Sequence, residues 1–121
     1  MIFVETNLSV IDNSGAKIVK CIKVLGQKRK SIFLGDLILV VVKKKIENKN
    51  NVVNKKIYYG LLSQLKYPTL RLDGRYLIFG KNSIILLSNK LKFLGTRFLQ
   101  LPAKESFKKF SDLLRKSQII I

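Results

Sequence analysis

The chain has 121 residues, with 24 lysines and arginines against 7 acids, no histidine, and a formal net charge of +17. One domain is ordinary for that length, and a hydrophobic fraction of 47% supports a packed core in spite of the charge. So much unbalanced cation on a small folded body repels itself unless a polyanion neutralises it, which points to nucleic acid as the partner.

The same counts exclude several classes of function. General acid-base chemistry near neutral pH usually rests on histidine, and the acids Glu5, Asp12, Asp36, Glu47, Asp73, Glu105 and Asp112 are scattered along the chain. Asp12, Asp36 and Asp73 lie close to glycines and read as turn-formers. No glycine-rich phosphate loop is present, so an enzyme is not expected. The single Cys21 can form neither an internal disulfide nor a zinc site. It reads instead as a small core residue within Ile18–Ile22. No metal or cofactor is expected. The longest apolar run, Leu37 to Val42, is far shorter than the ~20 residues that cross a bilayer. The first 16 residues hold no Lys or Arg but do hold Glu5 and Asp12. An import presequence is therefore not expected, and an organellar chain would be made where it works.

In chain order, Ile2 to Ile11 is strand-like and runs into the turn cluster Asp12-Asn13-Ser14-Gly15, where Gly15 can take a positive φ. A second strand, Ile18 to Leu25, is rich in β-branched residues and stops at Gly26, before the basic loop Gln27–Ser31. Gly35-Asp36 introduces Leu37 to Val42, whose continuous apolar run predicts the most buried, central strand, followed by Lys43-Lys44-Lys45. Glu47 to Lys56 reads as a basic hairpin or loop. Ile57 to Leu65 returns to strand, with Gly60 predicted to mark a bulge. Asp73-Gly74, between alternating apolar and polar residues from Leu70 to Phe79, predicts a hairpin with a two-residue type I′ turn.

Ile84 to Leu87 supplies a last strand, and Ser88 to Leu94 leads into Gly95-Thr96-Arg97. Beyond Pro102 the period becomes helical: Phe107, Phe110, Leu113 and Leu114 share one face, with Lys108, Lys109 and Arg115 elsewhere. Ile119–Ile121 could add a short closing strand. The expected architecture is all-β: a small barrel over residues 1–92 with a C-terminal extension of short α-helices over 93–121, together one domain.

Basic residues at Lys28-Arg29-Lys30, Lys43-Lys44-Lys45, Lys55-Lys56 and Lys108-Lys109 would be solvated faces in an ordinary protein; at this net charge they read as phosphate contacts. Lysine outnumbers arginine, as suits point-charge neutralisation of backbone phosphates. Tyr58, Tyr59, Tyr67 and Tyr76 could stack on unpaired bases, although packing in the core or at its rim is the plainer reading.

Asp12-Asn13-Ser14-Gly15-Ala16, then Cys21-Ile22-Lys23-Val24-Leu25-Gly26 and Gly35-Asp36, resemble in order and spacing the universal large-subunit ribosomal protein L-fourteen family. Asp73-Gly74, Phe79, Asn82, Ile84 to Leu87 and Gly95-Thr96-Arg97 continue the likeness over essentially the whole chain. Departures lie at Thr69-Leu70-Arg71-Leu72, where the family usually carries arginines and a proline, at Leu99–Pro102, and over Glu47–Leu65. The resemblance implies a five-stranded β-barrel lying on large-subunit rRNA near the face that meets the small subunit. It also implies contact with large-subunit proteins three and nineteen, an intersubunit bridge to small-subunit rRNA, and a docking surface for a ribosome silencing factor.

The expected function is thus that of a structural constituent of the ribosome during translation. The candidate RNA-binding residues are Lys17, Lys20, Lys23, Lys28, Arg29, Lys30, Lys43, Lys44, Lys45, Arg71, Arg75, Lys81 and Asn82. Thr96, Arg97, Lys108 and Lys109 are assigned to the subunit interface and to protein docking. The bias toward Lys, Asn, Ile and Phe suggests an AT-rich organelle genome. The mitochondrial matrix is the expected compartment, with a plastid or a bacterial cytoplasm as alternatives. Two rival readings are a free single-stranded nucleic-acid-binding barrel, which would present aromatics along a basic groove, and a peripheral membrane protein held by its amphipathic helix.

Overall fold

The computed structural model describes residues 2–25, 31–46 and 52–108. Its strands are β1 (Asn7–Val10), β2 (Ala16–Val24), β3 (Leu37–Lys45), β4 (Ile57–Gln64), β5 (Thr69–Leu70), β6 (Tyr76–Leu77) and β7 (Ser83–Leu87). Strands β1-β2-β3-β4-β7 form a closed barrel, and β5 and β6 make a separate two-stranded hairpin between β4 and β7. All the barrel pairings are antiparallel except the closing one, β1 with β7, which is parallel. At that seam the Ser9 and Ser83 hydroxyls meet at 2.6 Å. The Ile11 N–H donates to the Ile84 carbonyl at 3.1 Å. Closure leaves no strand edge open within the barrel.

Alternation along the strands sends Leu8, Val19, Cys21, Ile38, Val40, Val42, Leu62, Ile84 and Leu86 into one core cluster. A second cluster lies on the outer side of β4 and β7, where Leu61, Ile85 and Leu87 pack with Ile11 under Phe93 and Phe98. β7 is consequently buried along its whole length, whereas β3 alternates buried and half-buried residues up to Val42. The expectation that Leu37–Val42 is the most buried strand is corrected by this: the Phe93–Phe98 segment covers the second face of β7, not of β3.

Three local expectations change for physical reasons. β1 begins only at Asn7, because the chain turns at Glu5 with φ 73, leaving Ile2 in an isolated bridge with Ile32. Gly60 marks no bulge: it pairs in register with Ile38 and Leu86, and the irregularity of β4 falls between Leu62 and Gln64. A Cβ on Gly60 would lie 2.8 Å from the Ile84 Cδ1, so glycine is there to let the core close. The hairpin turn is not type I′. The Gly74 N–H donates to the Arg71 carbonyl and the Arg71 N–H to the Arg75 carbonyl, with only Gly74 in the left-handed region, as in a three-residue loop with a glycine bulge. Asp73 takes a negative φ and accepts the Arg75 N–H on Oδ1 at 3.1 Å, which favours this turn.

After β7 the chain crosses the outer layer and ends its described part in one 3-10 turn, Lys104–Lys108. The Ala103 N–H donates to the Ser63 carbonyl at 3.0 Å, and a Cβ on Gly35, itself at φ 85, would strike the Glu105 carbonyl at 2.7 Å. The predicted amphipathic helix over Phe107–Leu114 and the closing strand at Ile119–Ile121 fall almost wholly outside the described residues.

Gly60→Ala is expected to cost about 1–3 kcal/mol by overpacking, read as a lower urea midpoint at an unchanged slope. Cys21 is fully buried and its thiol is pushed up by desolvation, against a smaller opposing pull from a backbone hydrogen bond with Lys23. Alkylation of Cys21 at mildly alkaline pH should therefore follow the unfolding curve; labelling as fast as a free thiol in native protein would contradict its place in the core.

Candidate nucleic-acid interface

The β2–β3 ladder contains breaks in register that expose lysines. Ala16 faces Lys45 and Ile18 faces Lys44, which makes Lys17 the extra residue on β2; Val19 then faces Val42, which makes Lys43 the extra residue on β3. A bulge of this kind bends a strand while the pattern on either side of it resumes. Val19, Cys21, Val40 and Val42 thus stay inside while the lysines stay out. Together β2 and β3 carry six lysines, Lys17, Lys20, Lys23, Lys43, Lys44 and Lys45, and no acid. Lys17, Lys23, Lys43 and Lys44 are exposed, and Lys20 and Lys45 are half-buried.

No lysine stands directly opposite another: Lys20 faces Val41, Lys23 faces Leu39, Lys44 faces Ile18 and Lys45 faces Ala16. Directly opposed like charges would destabilise the sheet. The arrangement keeps the fold tolerable in isolation yet leaves a broad cationic surface on the outside of the barrel.

Other expected contacts are placed differently. The Arg71 Nε donates to the Glu105 Oε1 at 3.0 Å and its Nη2 to Oε2 at 3.4 Å, with the two side chains 14% and 16% exposed. Arg71 therefore ties the hairpin to the 3-10 turn. Arg75 is exposed and pairs with Asp73 at 2.6 Å; the hydrogen bonds from the Arg75 guanidinium and N–H hold the Asp73 carboxyl below its ordinary range. Asn82 caps the end of β4, its Oδ1 accepting the Lys66 N–H at 2.8 Å and its carbonyl accepting the Ser9 N–H at 3.2 Å. Lys81 is exposed. Lys28, Arg29 and Lys30 lie outside the described residues.

Thr96 and Arg97, far along the chain from the Asp12-Asn13 turn, are clipped to it. The Asn13 Oδ1 accepts the Thr96 N–H at 2.7 Å and the Arg97 N–H at 3.2 Å, and its Nδ2 donates to the Thr96 Oγ1 at 2.8 Å. The Asn13 N–H in turn donates to the Arg97 carbonyl at 3.2 Å. A Cβ on Gly95 would come within 2.9 Å of both the Asn13 Oδ1 and the Asp12 Cβ, so this approach needs glycine. The clip fixes the Arg97 backbone while its side chain stays exposed. Lys108 closes the 3-10 turn, and Lys109 falls outside the described residues.

Lys56, read from the sequence as a phosphate contact in the Lys55-Lys56 pair, and Lys90, which the sequence does not single out, line the same open cleft at one end of the barrel, together with Val53, Tyr58 and Leu94. Only the pairing of β4 with β7 brings them together, and no local motif signals it. Among the described residues no group of three or more Cys, Asp, Glu or His could hold a metal ion, and no helix is long and apolar enough to cross a membrane.

Comparison with known proteins agrees with a binding surface built for a polyanion. The family described as Ribosomal protein L14p/L23e matches residues 1–121. The chain is 39% identical over 123 aligned positions to the large ribosomal subunit protein uL14 of Carsonella ruddii, with both chains covered in full. The chain belongs to the ribosomal protein L14p/L23e family, and its part in the ribosome is structural, not enzymatic.

Proposed function

We propose that the lysine face of β2 and β3 seats this chain on folded large-subunit rRNA through backbone phosphates. The observation that carries the reading is the set of six lysines on two neighbouring strands with no acid among them. Such a surface recognises charge density and shape in preference to base identity, and its affinity derives from counterion release. Lys81, exposed on the hairpin side, extends the contact, and Arg75 adds less to it because Asp73 already neutralises its guanidinium.

The Asn13–Arg97 clip serves a second contact. A backbone held by several hydrogen bonds to one asparagine fixes the point from which the exposed Arg97 side chain reaches out, which suits a bridge to small-subunit rRNA across the intersubunit face. Thr96 and Arg97, with Lys108 and Lys109, are the residues proposed for that bridge and for docking a ribosome silencing factor. Large-subunit proteins three and nineteen are the proposed protein neighbours. The proposed compartment is the mitochondrial matrix, on the strength of the Lys, Asn, Ile and Phe bias. A bacterial cytoplasm is the second reading, favoured by the 39% identity to a bacterial relative.

Sedimentation of the native protein tests the whole reading. It should run with large ribosomal subunits at low salt and leave them as salt rises; a pool running free would favour a single-strand-binding barrel instead. Replacing Lys17, Lys43 and Lys44 by Gln should flatten the plot of log affinity for rRNA against log salt by up to about 0.9 for each phosphate that is no longer neutralised. An unchanged slope would remove these lysines from the interface. Arg97→Glu should weaken subunit joining, measured as the ratio of joined particles to free subunits, while incorporation into large subunits stays near normal. Exclusion of that variant from large subunits would refute the division of labour.

A further inference from the structure

The cleft between the two ends of β4 and β7 has the makings of a separate nucleotide site. Val53, Tyr58 and Leu94 form its floor, and Lys56, Lys90 and Asn89 stand at its rim, around a volume of about 360 Å³. That is near the small end of the roughly 300–1,000 Å³ typical of ligand pockets. No acid lines it.

Its walls are built before any ligand arrives. On one side the Tyr58 hydroxyl accepts the Val53 N–H at 3.0 Å, and the Lys55 N–H donates to the Val42 carbonyl at 3.0 Å. On the other, the Ser88 N–H donates to the Lys92 carbonyl at 2.8 Å and the Leu91 N–H to the Ser88 carbonyl at 2.9 Å. Lys55 at φ 62 and Leu91 at φ 59 are two of the three non-glycine residues with positive φ among the described residues, and each is the chain neighbour of a lysine that lines the cleft, Lys56 and Lys90. Such backbone conformations persist only where their surroundings fix them, and they gather at ligand clamps. The Lys56 Nζ stands 5.6 Å from the centre of the Tyr58 ring, which holds the cation over the mouth of the cleft.

An apolar floor beneath two lysines matches a ligand that is apolar at one end and anionic at the other. Duplex RNA offers phosphates but no free base face, so it would leave the floor uncovered. An unstacked nucleotide supplies both. Its base can lie against Val53, Leu94 and the edge of Tyr58, the Asn89 amide offers a donor and an acceptor to the base edge, and the phosphate falls between the lysines.

We propose that this cleft holds one unpaired nucleotide of the ribosomal RNA, with its base on the Val53–Leu94 floor and its phosphate between Lys56 and Lys90. The inference rests on the reading that the chain is seated on rRNA, and its test is separable from that reading. Large subunits carrying the wild-type chain or the double variant Lys56→Gln, Lys90→Gln are probed with a reagent that acylates flexible ribose 2′-hydroxyls. One unpaired nucleotide, protected in the wild type, should gain reactivity on the order of fivefold or more in the variant, with the variant still sedimenting in large subunits. In a second arm, a photoreactive amino acid replaces Asn89 alone and should cross-link to that same nucleotide within intact subunits. This arm decides the matter if the double variant fails to enter subunits. Unchanged reactivity in variant subunits, or cross-links only to paired nucleotides, to protein or to a free mononucleotide, would overturn the site. Absence of the wild-type chain from large subunits would instead overturn the broader reading.

Discussion

Asp12 is a buried carboxylate around which both closure of the barrel and attachment of its outer layer are organised. Its Oδ1 accepts the Ser14 N–H at 3.2 Å and the Ser14 hydroxyl at 2.6 Å, and its Oδ2 accepts the Leu86 N–H at 3.2 Å. A charge taken out of water must be met by hydrogen bonds, and those made to a charged group are the stronger kind. These bonds fasten the turn between β1 and β2 onto β7, close to the parallel seam where the ladder pairs only Ser9 with Ser83 and Val10 with Ile84. Asn13 continues the same turn into Thr96 and Arg97, and Asp12 bridges to Phe98. Phe98 meets Phe93 edge-on at 6.4 Å, and the two rings cover Ile85 and Leu87. One short turn thus holds the seam, the outer layer and the exposed Arg97 in a fixed relation.

That organisation divides the outside of the barrel into two surfaces. Over β4 and β7 the chain covers its own sheet with apolar side chains. Over β2 and β3 the described residues leave the sheet uncovered and line it with lysines. The described acids do not offset those lysines. Asp12, Asp36 and Asp73 accept backbone N–H groups at turns, and Glu105 is paired with Arg71. Of the described acids, Asp12 and Asp36 are buried and Glu105 is half-buried, while Glu5 and Asp73 are exposed and Asp73 is paired with Arg75. These are too few to balance the lysines, so the neutralising partner has to come from elsewhere. Each lysine on this face keeps its full electrostatic reach within a screening length of about 8–10 Å at ordinary ionic strength.

Much of this was legible in the order of residues. The β-branched runs and turn clusters mark four of the five barrel strands to within a few positions and start the first one five residues early, while Cys21 and the turn-forming aspartates fall where they are expected. What the sequence hid was contact between distant segments. Nothing near Ile84–Leu87 announces that Phe93 and Phe98 will cover its second face, so Leu37–Val42 looked more buried on the strength of its longer apolar run. Gly60 read as a bulge because a glycine in a strand has two explanations, an irregular backbone or a close neighbour, and only Ile84 decides between them. Asp73-Gly74 suggested the commoner tight turn, while the extra residue and the Asp73 side-chain bond selected the looser one. In the candidate site the lysine runs were plain to read, but the bulges that turn Lys17 and Lys43 outward depend on the register of two strands.

The hairpin shows why a count of basic residues misjudges where affinity resides. Arg71 and Arg75 belong to the same cationic total as the β2–β3 lysines, yet each has a carboxylate within 3.0 Å. A guanidinium matched by its own carboxylate presents an approaching phosphate with a short dipole, and the attraction falls off far faster than that of a lone charge. Breaking the Arg71–Glu105 pair to make a phosphate contact would also leave Glu105 partly buried and unpaired beside the RNA, a loss on both sides. Around these pairs the outward residues Leu70, Leu72, Tyr76 and Ile78 are exposed and apolar. The hairpin is therefore nearly neutral at its tip, and the electrostatic attraction to a polyphosphate is concentrated on the lysines that β2 and β3 hold without a counter-charge among the described residues.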